Sequence, residues 1–467
     1  MTMRSELHYL TIGQAGRLIK ERKLSPVELT RVMLERVEKM GGTLQTYITL
    51  LRDEAMAQAK AAEAEIRRGN YRGPLHGIPI ALKDNYDTKD VRTTAGSQLL
   101  RDHVPMEDSA VAARLKAAGA VLLGKLTLTE FACGGPDQTC GYPIPRNPWN
   151  LEHGAGGSSN GSAVAVSAGL CMGTMATCTR GSIRAPAMFC NVVGFKPTYG
   201  RVSRHGVIPL SWTLDHCGPI TATVEDAAIM LRAVAGWDPA DPTSSHAPAP
   251  DYAGELRTDI KGLKIGVPRH FFFPARPDVQ REPLAIAEAA LRKLEELGAH
   301  VEETRIPELE YSDAAALVIL LGEGYAYHQW NLKAKPEGYG VVNRAEFRLA
   351  SLFTMSDYVQ AQRARNALKR GYAKALQRYD LIVSPTFAIV APRYDAPPGM
   401  ATTKMPSFTG PYNLAGLPAI SVPAGFTAKG LPSGIQLAGR PFDETTVLRA
   451  AYTYEQATEW HKRRPPL

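Results

Sequence analysis

Short apolar runs alternate with helix-forming stretches from about residue 66 onward, and nothing else in the sequence restricts the fold as strongly. "IPIALKD", "SAVAARLKAAGAVLLGKL", "VEDAAIMLRAVAG", "LKIGVP", "YDLIVSP" and "AISVPAGF" follow one another along the chain. Brief apolar runs of this kind read as strands, and the intervening periodic segments as helices that must pack against them. The fold class is therefore α/β, a sheet with helices on its faces. With 467 residues, 44% of them hydrophobic, the chain can bury one very large core or several ordinary ones. The connector "GWDPADPTSSHAPAPDY" (236–252) has the Pro/Ser/Asp content of a domain boundary, but strand-like "LKIGVP" resumes at 263. It reads as a surface crossing within one continuous fold.

The first 65 or so residues read as helical. "LSPVELTRVMLERVEKM" places Ser25 as N-cap, Pro26 in the first turn and Glu28 three residues after the cap, with Leu29, Val32, Val37 and Met40 along one face. A second helix, "RDEAMAQAKAAEAEIRRG", ends at Gly69. Residues 66–240 carry the motifs discussed below, and 305–405 mix helices with loops suited to the mouth or lid of a cleft. The formal charge of +8 comes from 54 basic and 46 acidic residues dispersed along the chain, apart from a basic tail, which argues for solubility rather than a nucleic-acid groove. The six cysteines form no C-x-x-C pair and read as reduced, buried thiols, without a metal site. No secretory signal or membrane-length apolar run is visible, so the expectation is a cytoplasmic protein.

Two motifs invite a quick reading. "GAVLLGKL" has the spacing of a phosphate-binding loop, yet Leu126 stands where Ser or Thr should meet magnesium, and AVLL is strand rather than glycine-rich loop. "GSSNG" fits a nucleophile elbow with Ser159 as nucleophile, but the approach "RNPWNLEHGAG" is turn-forming where an elbow needs a strand.

A different set of residues carries the chemistry. Lys83 ends the apolar run "GIPIALKDN"; it either pairs with a carboxylate such as Asp84 or is kept neutral by burial and able to take a proton. Serines follow in two small-residue turns, "GGSSNGSAVAVSAG" and "GSIRAPAMFCNVVGFKPTYGRVSRHGV". A desolvated lysine and two serines suffice for nucleophilic catalysis without histidine. With these three motifs in this order, Ser158 lying 75 residues after Lys83 and Ser182 a further 24 on, the chain resembles the amidase signature family of Ser/cis-Ser/Lys hydrolases. The resemblance extends from the N-terminal helices to "NLAGLPAISVPAG". It implies one large fold over 1–467, a twisted mixed sheet flanked by helices on both faces, needing no cofactor.

By the same resemblance, Ser182 becomes acylated. Ser158, after a cis peptide, relays a proton to Lys83. The amides of Thr179, Arg180, Gly181 and Ser182 form the oxyanion hole, and Ala132 and Gly134 line the acyl side. Ser159, Cys178 and Arg184 stand behind these groups. The family's usual G-T-D-T-G-G-S is here A-T-C-T-R-G-S. Cys178 therefore replaces an Asp, leaving Arg184 to find another partner. Arg180 replaces a glycine, which costs about 1 kcal/mol if that position needs positive φ. The glutamine-hydrolysing subunits of tRNA-dependent amidotransferases carry an acid seven positions before the Asn of "NLAGLP", and here that position is Pro406. The expected activity is thus hydrolysis of small apolar amides or anilides, with carbamates (urethanes) and esters open to the same chemistry. A monomer or homodimer acting on a small molecule, without nucleic acid or membrane, is expected. The alternatives are an inactive binding subunit of the same fold and a glutamine-hydrolysing A subunit.

Overall fold

A computed structural model describes residues 3–395 and 407–467. Its strands are β1 (Tyr47–Leu50), β2 (Pro79–Lys83), β3 (Val121–Leu126), β4 (Gly173–Cys178), β5 (Val193–Lys196), β6 (His216–Thr221), β7 (Lys264–Val267), β8 (His300–Glu303), β9 (Leu381–Pro385), β10 (Ala419–Phe426) and β11 (Pro432–Ala438). They form one 11-stranded sheet in the order β1-β3-β2-β4-β6-β5-β10-β11-β9-β7-β8. β2 runs parallel to β3 and β4, and β7 to β8 and β9, while the other pairings are antiparallel. The sheet is mixed, and it crosses the 236–252 connector without a break.

Helices α1 (Ile12–Lys20), α2 (Pro26–Leu44) and α3 (Arg52–Arg67) precede the central strands. Then come α4 (Ala110–Ala117), α5 (Asn160–Ser167), α6 (Arg184–Phe189), α7 (Val224–Val234), α8 (Arg269–Phe272), α9 (Arg281–Glu296), α10 (Ser312–Ala334), α11 (Val341–Ala350) and α12 (Met355–Arg378). Strand side chains alternate between faces, and the two hydrophobic clusters follow that alternation. Leu381 and Val383 of β9 join a cluster with α2, α7 and α9, whereas Ile382 between them joins one with α10 and α12. Both faces of the sheet are covered, which establishes the α/β class.

Ser25 caps α2 by accepting from the Glu28 amide, with Pro26 in the first turn. The buried stripe of α2 is Leu29, Met33, Leu34 and Val37, while Val32 and Met40 are only half-buried. Strand β1, inside the segment read as helical, is a four-residue edge strand whose uniform half-burial gives no period-2 signal. Within 305–405 the described residues form α10, α11, α12 and β9; 396–405 and Pro406 lie outside the described residues. No helix among the described residues is long and apolar enough to cross a membrane. All six cysteines are buried free thiols.

Two carboxyls are buried where α1, α7 and the helix Glu444–Gln456 meet. Asp226 Oδ1 accepts from the Gly13 amide at 3.0 Å, and Glu455 Oε1 from the Val224 amide at 2.9 Å. Burial raises Asp226 to about 7 and Glu455 to about 8. In the window between their ordinary carboxylate values and these raised ones, the native state holds more protons than the unfolded chain, so stability falls as pH rises. Glu455→Gln is expected to flatten that fall: its melting temperature should drop less between pH 5 and pH 8 than that of the unsubstituted protein.

Candidate active site

The site forms at the carboxyl ends of three adjacent parallel strands, where open α/β sheets commonly bind ligands. Register sets which residues meet there. Leu82 pairs with Met175 and Lys83 with Leu126, so the end of β2 lies between the ends of β3 and β4. Lys83 is fully buried and directs Nζ to Ser158 Oγ at 2.7 Å and to Thr177 Oγ1 at 2.8 Å. Thr177 Oγ1 also takes a hydrogen bond from Asn85 Nδ2 at 3.1 Å, so its acceptor positions are filled. Asp84 does not pair with Lys83. It faces Lys125, the lysine of the phosphate-loop lookalike, at 3.3 Å, and that lysine also donates to Tyr86 O and Thr93 Oγ1. With β3 fully buried and its lysine committed, "GAVLLGKL" holds no phosphate. Burial lowers Lys83 to about 7, with Cys178, Asp215 and Cys217 pulling the other way.

Ser158 is buried, and the Gly157–Ser158 peptide is cis. The Ser158 carbonyl accepts from the Thr129 amide, tying the serine turn to the chain leaving β3. Ser159 points the other way: its hydroxyl donates to Thr177 O at 3.3 Å, it is fully buried, and it starts α5. No strand runs into this turn, so the nucleophile-elbow reading is set aside.

Residues 179–182 leave β4 and turn into α6. Thr179 Oγ1 donates to Asp215 Oδ1 at 2.6 Å, an arrangement set by the antiparallel pairing of Cys178 with His216. Asp215 Oδ2 accepts two further amides, from Leu210 and Ser211, which fixes the wall beside the turn. Gly181 has φ +149, and a Cβ there would lie 2.0 Å from Thr409 Oγ1, so only glycine fits. Among the described residues the amides of Gly181 and Ser182 find no acceptor, and with Ser182 they border a cavity of about 550 Å³. Amides presented without partners beside a serine can stabilise an oxyanion.

Arg180 is not among the positive-φ residues, so its replacement of glycine strains nothing. Its guanidinium reaches Asp313 Oδ1 at 3.0 Å while bordering the cavity. Arg184, deprived of an aspartate by Cys178, is fully buried among neutral oxygens: Gln436 Oε1 at 2.7 Å, Asn413 Oδ1 at 2.5 Å and Thr409 O at 2.9 Å. Cys178 Sγ lies 3.5 Å from the same Asn413 Oδ1.

Ala132 and Gly134 border the cavity opposite. Phe131 (φ 48) and Ala132 (φ 59) occupy left-handed backbone, rare for residues with a side chain. The turn is held from α11: Asn343 Nδ2 donates to Glu130 O at 2.6 Å, and Glu130 accepts from Ser97 Oγ and the Gly340 amide. Sequence reasoning does not reach Thr177, Asp215, Asp313, Asn413 or Glu346. Thr177 and Asp215 follow from strand register, whereas Asp313 and Glu346 come from helices far along the chain.

The geometry predicts the outcome of Gly181→Ala. The added methyl should slow labelling of Ser182 by a sulfonyl fluoride at least about tenfold, with a cost of overpacking near 1–3 kcal/mol. Adding Thr409→Ala, which removes the clashing side chain, should recover part of both losses, as read by intact-mass kinetics and thermal unfolding.

Comparisons with known proteins agree with this architecture. The profile of the family described as Amidase matches residues 28–448. A relative from Moorella thermoacetica, named as the A subunit of glutamyl-tRNA(Gln) amidotransferase, is 42% identical over 487 residues, covering 99% of each chain. The crystal structure of the corresponding glutamyl-tRNA(Gln) amidotransferase A subunit from Thermotoga maritima superposes with a TM-score of 0.83 at 33% identity, over 97% of this chain and 95% of that one. A bacterial aryl acylamidase of the amidase signature family gives 0.88 at 26% identity, over 98% of both. The two amidotransferase subunits overturn the expectation of a small-molecule enzyme with neither nucleic acid nor partner subunit. Dispersed charge argues only against a basic groove on this chain; it says nothing about what an assembly containing such a subunit binds.

Proposed function

The chain belongs to the amidase family, and we propose that it hydrolyses carboxamides through an acyl-enzyme on Ser182, serving as the A subunit of a tRNA-dependent amidotransferase that releases ammonia from glutamine. One observation carries the chemistry: a fully buried lysine, lowered to about 7, has a serine and a threonine as its hydrogen-bond partners instead of a carboxylate. Such an amine is about half neutral at pH 7 and more so above it, and its lone pair then accepts the Ser158 proton. Ser158 in turn takes the proton of Ser182 as Ser182 Oγ attacks the amide carbon. The oxyanion is met by the Gly181 and Ser182 amides. On collapse the C–N bond breaks, the proton returns from Lys83 through Ser158 to the leaving nitrogen, and ammonia departs. Water, activated by the same relay, then cleaves the ester.

Identity across the whole length of amidotransferase A subunits supports the glutamine assignment. The cavity favours a second reading. Phe189, Leu317, Leu320, Leu321, Phe387 and Ile389 give it apolar walls, and about 550 Å³ is ample for a bulkier amide such as an anilide.

Ammonia release from L-glutamine and nitroaniline release from a 4-nitroanilide, measured on the same preparation, separate the two. Preference for glutamine supports the amidotransferase reading; preference for the anilide supports the second. For either substrate, Lys83→Ala and Ser182→Ala should each lose at least about 10²-fold in kcat/KM. The rate should rise with pH through an apparent pKa near 7, as expected of Lys83 losing its proton.

A further inference from the structure

Most charged side chains on the cavity wall are already spoken for. Arg180 is paired with Asp313, Arg393 with Asp395 and Glu152, and Asp137 accepts from Thr139 and from the Val342 amide. Glu346, projecting from α11 into the same cavity as Ser182, is different: among the described residues it receives one weak donor, the Cys133 thiol, at 3.3 Å. A carboxylate offers about four acceptor positions, so among the described residues most of its capacity is unused. It stands against the acyl-side turn, since a Cβ on Gly134 would lie 3.3 Å from Glu346 Oε2. Burial raises its carboxyl, while the Cys133 hydrogen bond and Arg180 pull it back down.

We propose that Glu346 is a specificity-determining residue that selects carboxamides whose acyl part carries an ammonium group. The inference rests on the carboxamide reading above and narrows it. The acid that glutamine-hydrolysing subunits place seven residues before "NLAGLP" is Pro406 here, and Glu346 supplies an acid to the cavity from a different element. An ammonium group would fill the open acceptor positions and supply a counter-charge in direct hydrogen-bond contact, which Arg180, paired with Asp313, does not.

Two substrate pairs that differ in an ammonium group test this: L-glutamine against 4-carbamoylbutanoate, and 4-aminobutanamide against pentanamide. The protein is expected to favour the ammonium-bearing member of each pair by about tenfold or more in kcat/KM, mainly through KM, as a charged hydrogen bond implies. In Glu346→Gln, which keeps the side-chain shape, the ratio should fall to near one, and Glu346→Asp should retain part of it. A ratio near one in the unsubstituted protein, or a ratio that survives Glu346→Gln, overturns the assignment. Turnover of glutamine with a preference indifferent to Glu346 removes the assignment and keeps the glutamine reading. A Glu346-dependent preference for 4-aminobutanamide without turnover of glutamine does the reverse. Silence toward all four amides overturns both.

Discussion

The whole site depends on where the sheet puts one amine. Two lysines end up fully buried on neighbouring parallel strands, Lys83 on β2 and Lys125 on β3, and burial lowers the pKa of both. Lys125 faces Asp84 and two further oxygens, so its proton has somewhere to stay. Lys83 has two hydroxyls in place of an acid. A buried ammonium without a paired anion is costly, and the group escapes that cost by giving up its proton. The same burial acts on both lysines, and the proposed role of Lys83 as a base rests on the carboxylate that Lys125 faces and Lys83 does not.

Around that amine the backbone is held in forms that side chains resist. Gly181 adopts a φ of +149 against Thr409, and Phe131 and Ala132 sit in left-handed backbone opposite. The helix α11 clamps the second turn through Asn343 and the Gly340 amide, and Asp215 clamps the wall beside the first. Rigid turns of this sort can hold backbone amides where a developing charge would need them, which is the role proposed for the Gly181 and Ser182 amides. Arg184, buried beside the turn that carries Ser182, shows how the fold absorbs a lost aspartate: three neutral oxygens take its place, one of them shared with the Cys178 thiol.

Much of this is legible in the sequence for physical reasons. Strands β2, β3, β9 and β10 are buried almost throughout, and each contains a short run of apolar residues, IAL, VLL, LIV and AISV with one serine, that stands out in the sequence. Strands β1 and β8 are short, only partly buried and on the sheet's edges, and β6 carries Gly218 and Pro219, so none of them leaves such a trace. Lys83, Ser158 and Ser182 stand out because glycine-rich turns and a strand-terminal lysine are unusual locally. Arg180's ion pair and Glu346's place in the cavity depend on α10 and α11, more than a hundred residues downstream, and no local pattern announces them. Charge dispersed along the sequence does not amount to the lack of a nucleic-acid partner, because it reports only on this chain's own residues.

The central claim is that Lys83 is a neutral amine under working conditions, and the most direct test is to titrate it. The protein can be labelled with ¹⁵N-lysine and its Nζ resonances followed with pH, the Lys83 signal being identified by its loss in Lys83→Met. A midpoint near 7 is the predicted result. A midpoint near the ordinary lysine value of about 10.4 would contradict the account, because an amine protonated throughout the neutral range cannot accept the proton that Ser158 must pass on.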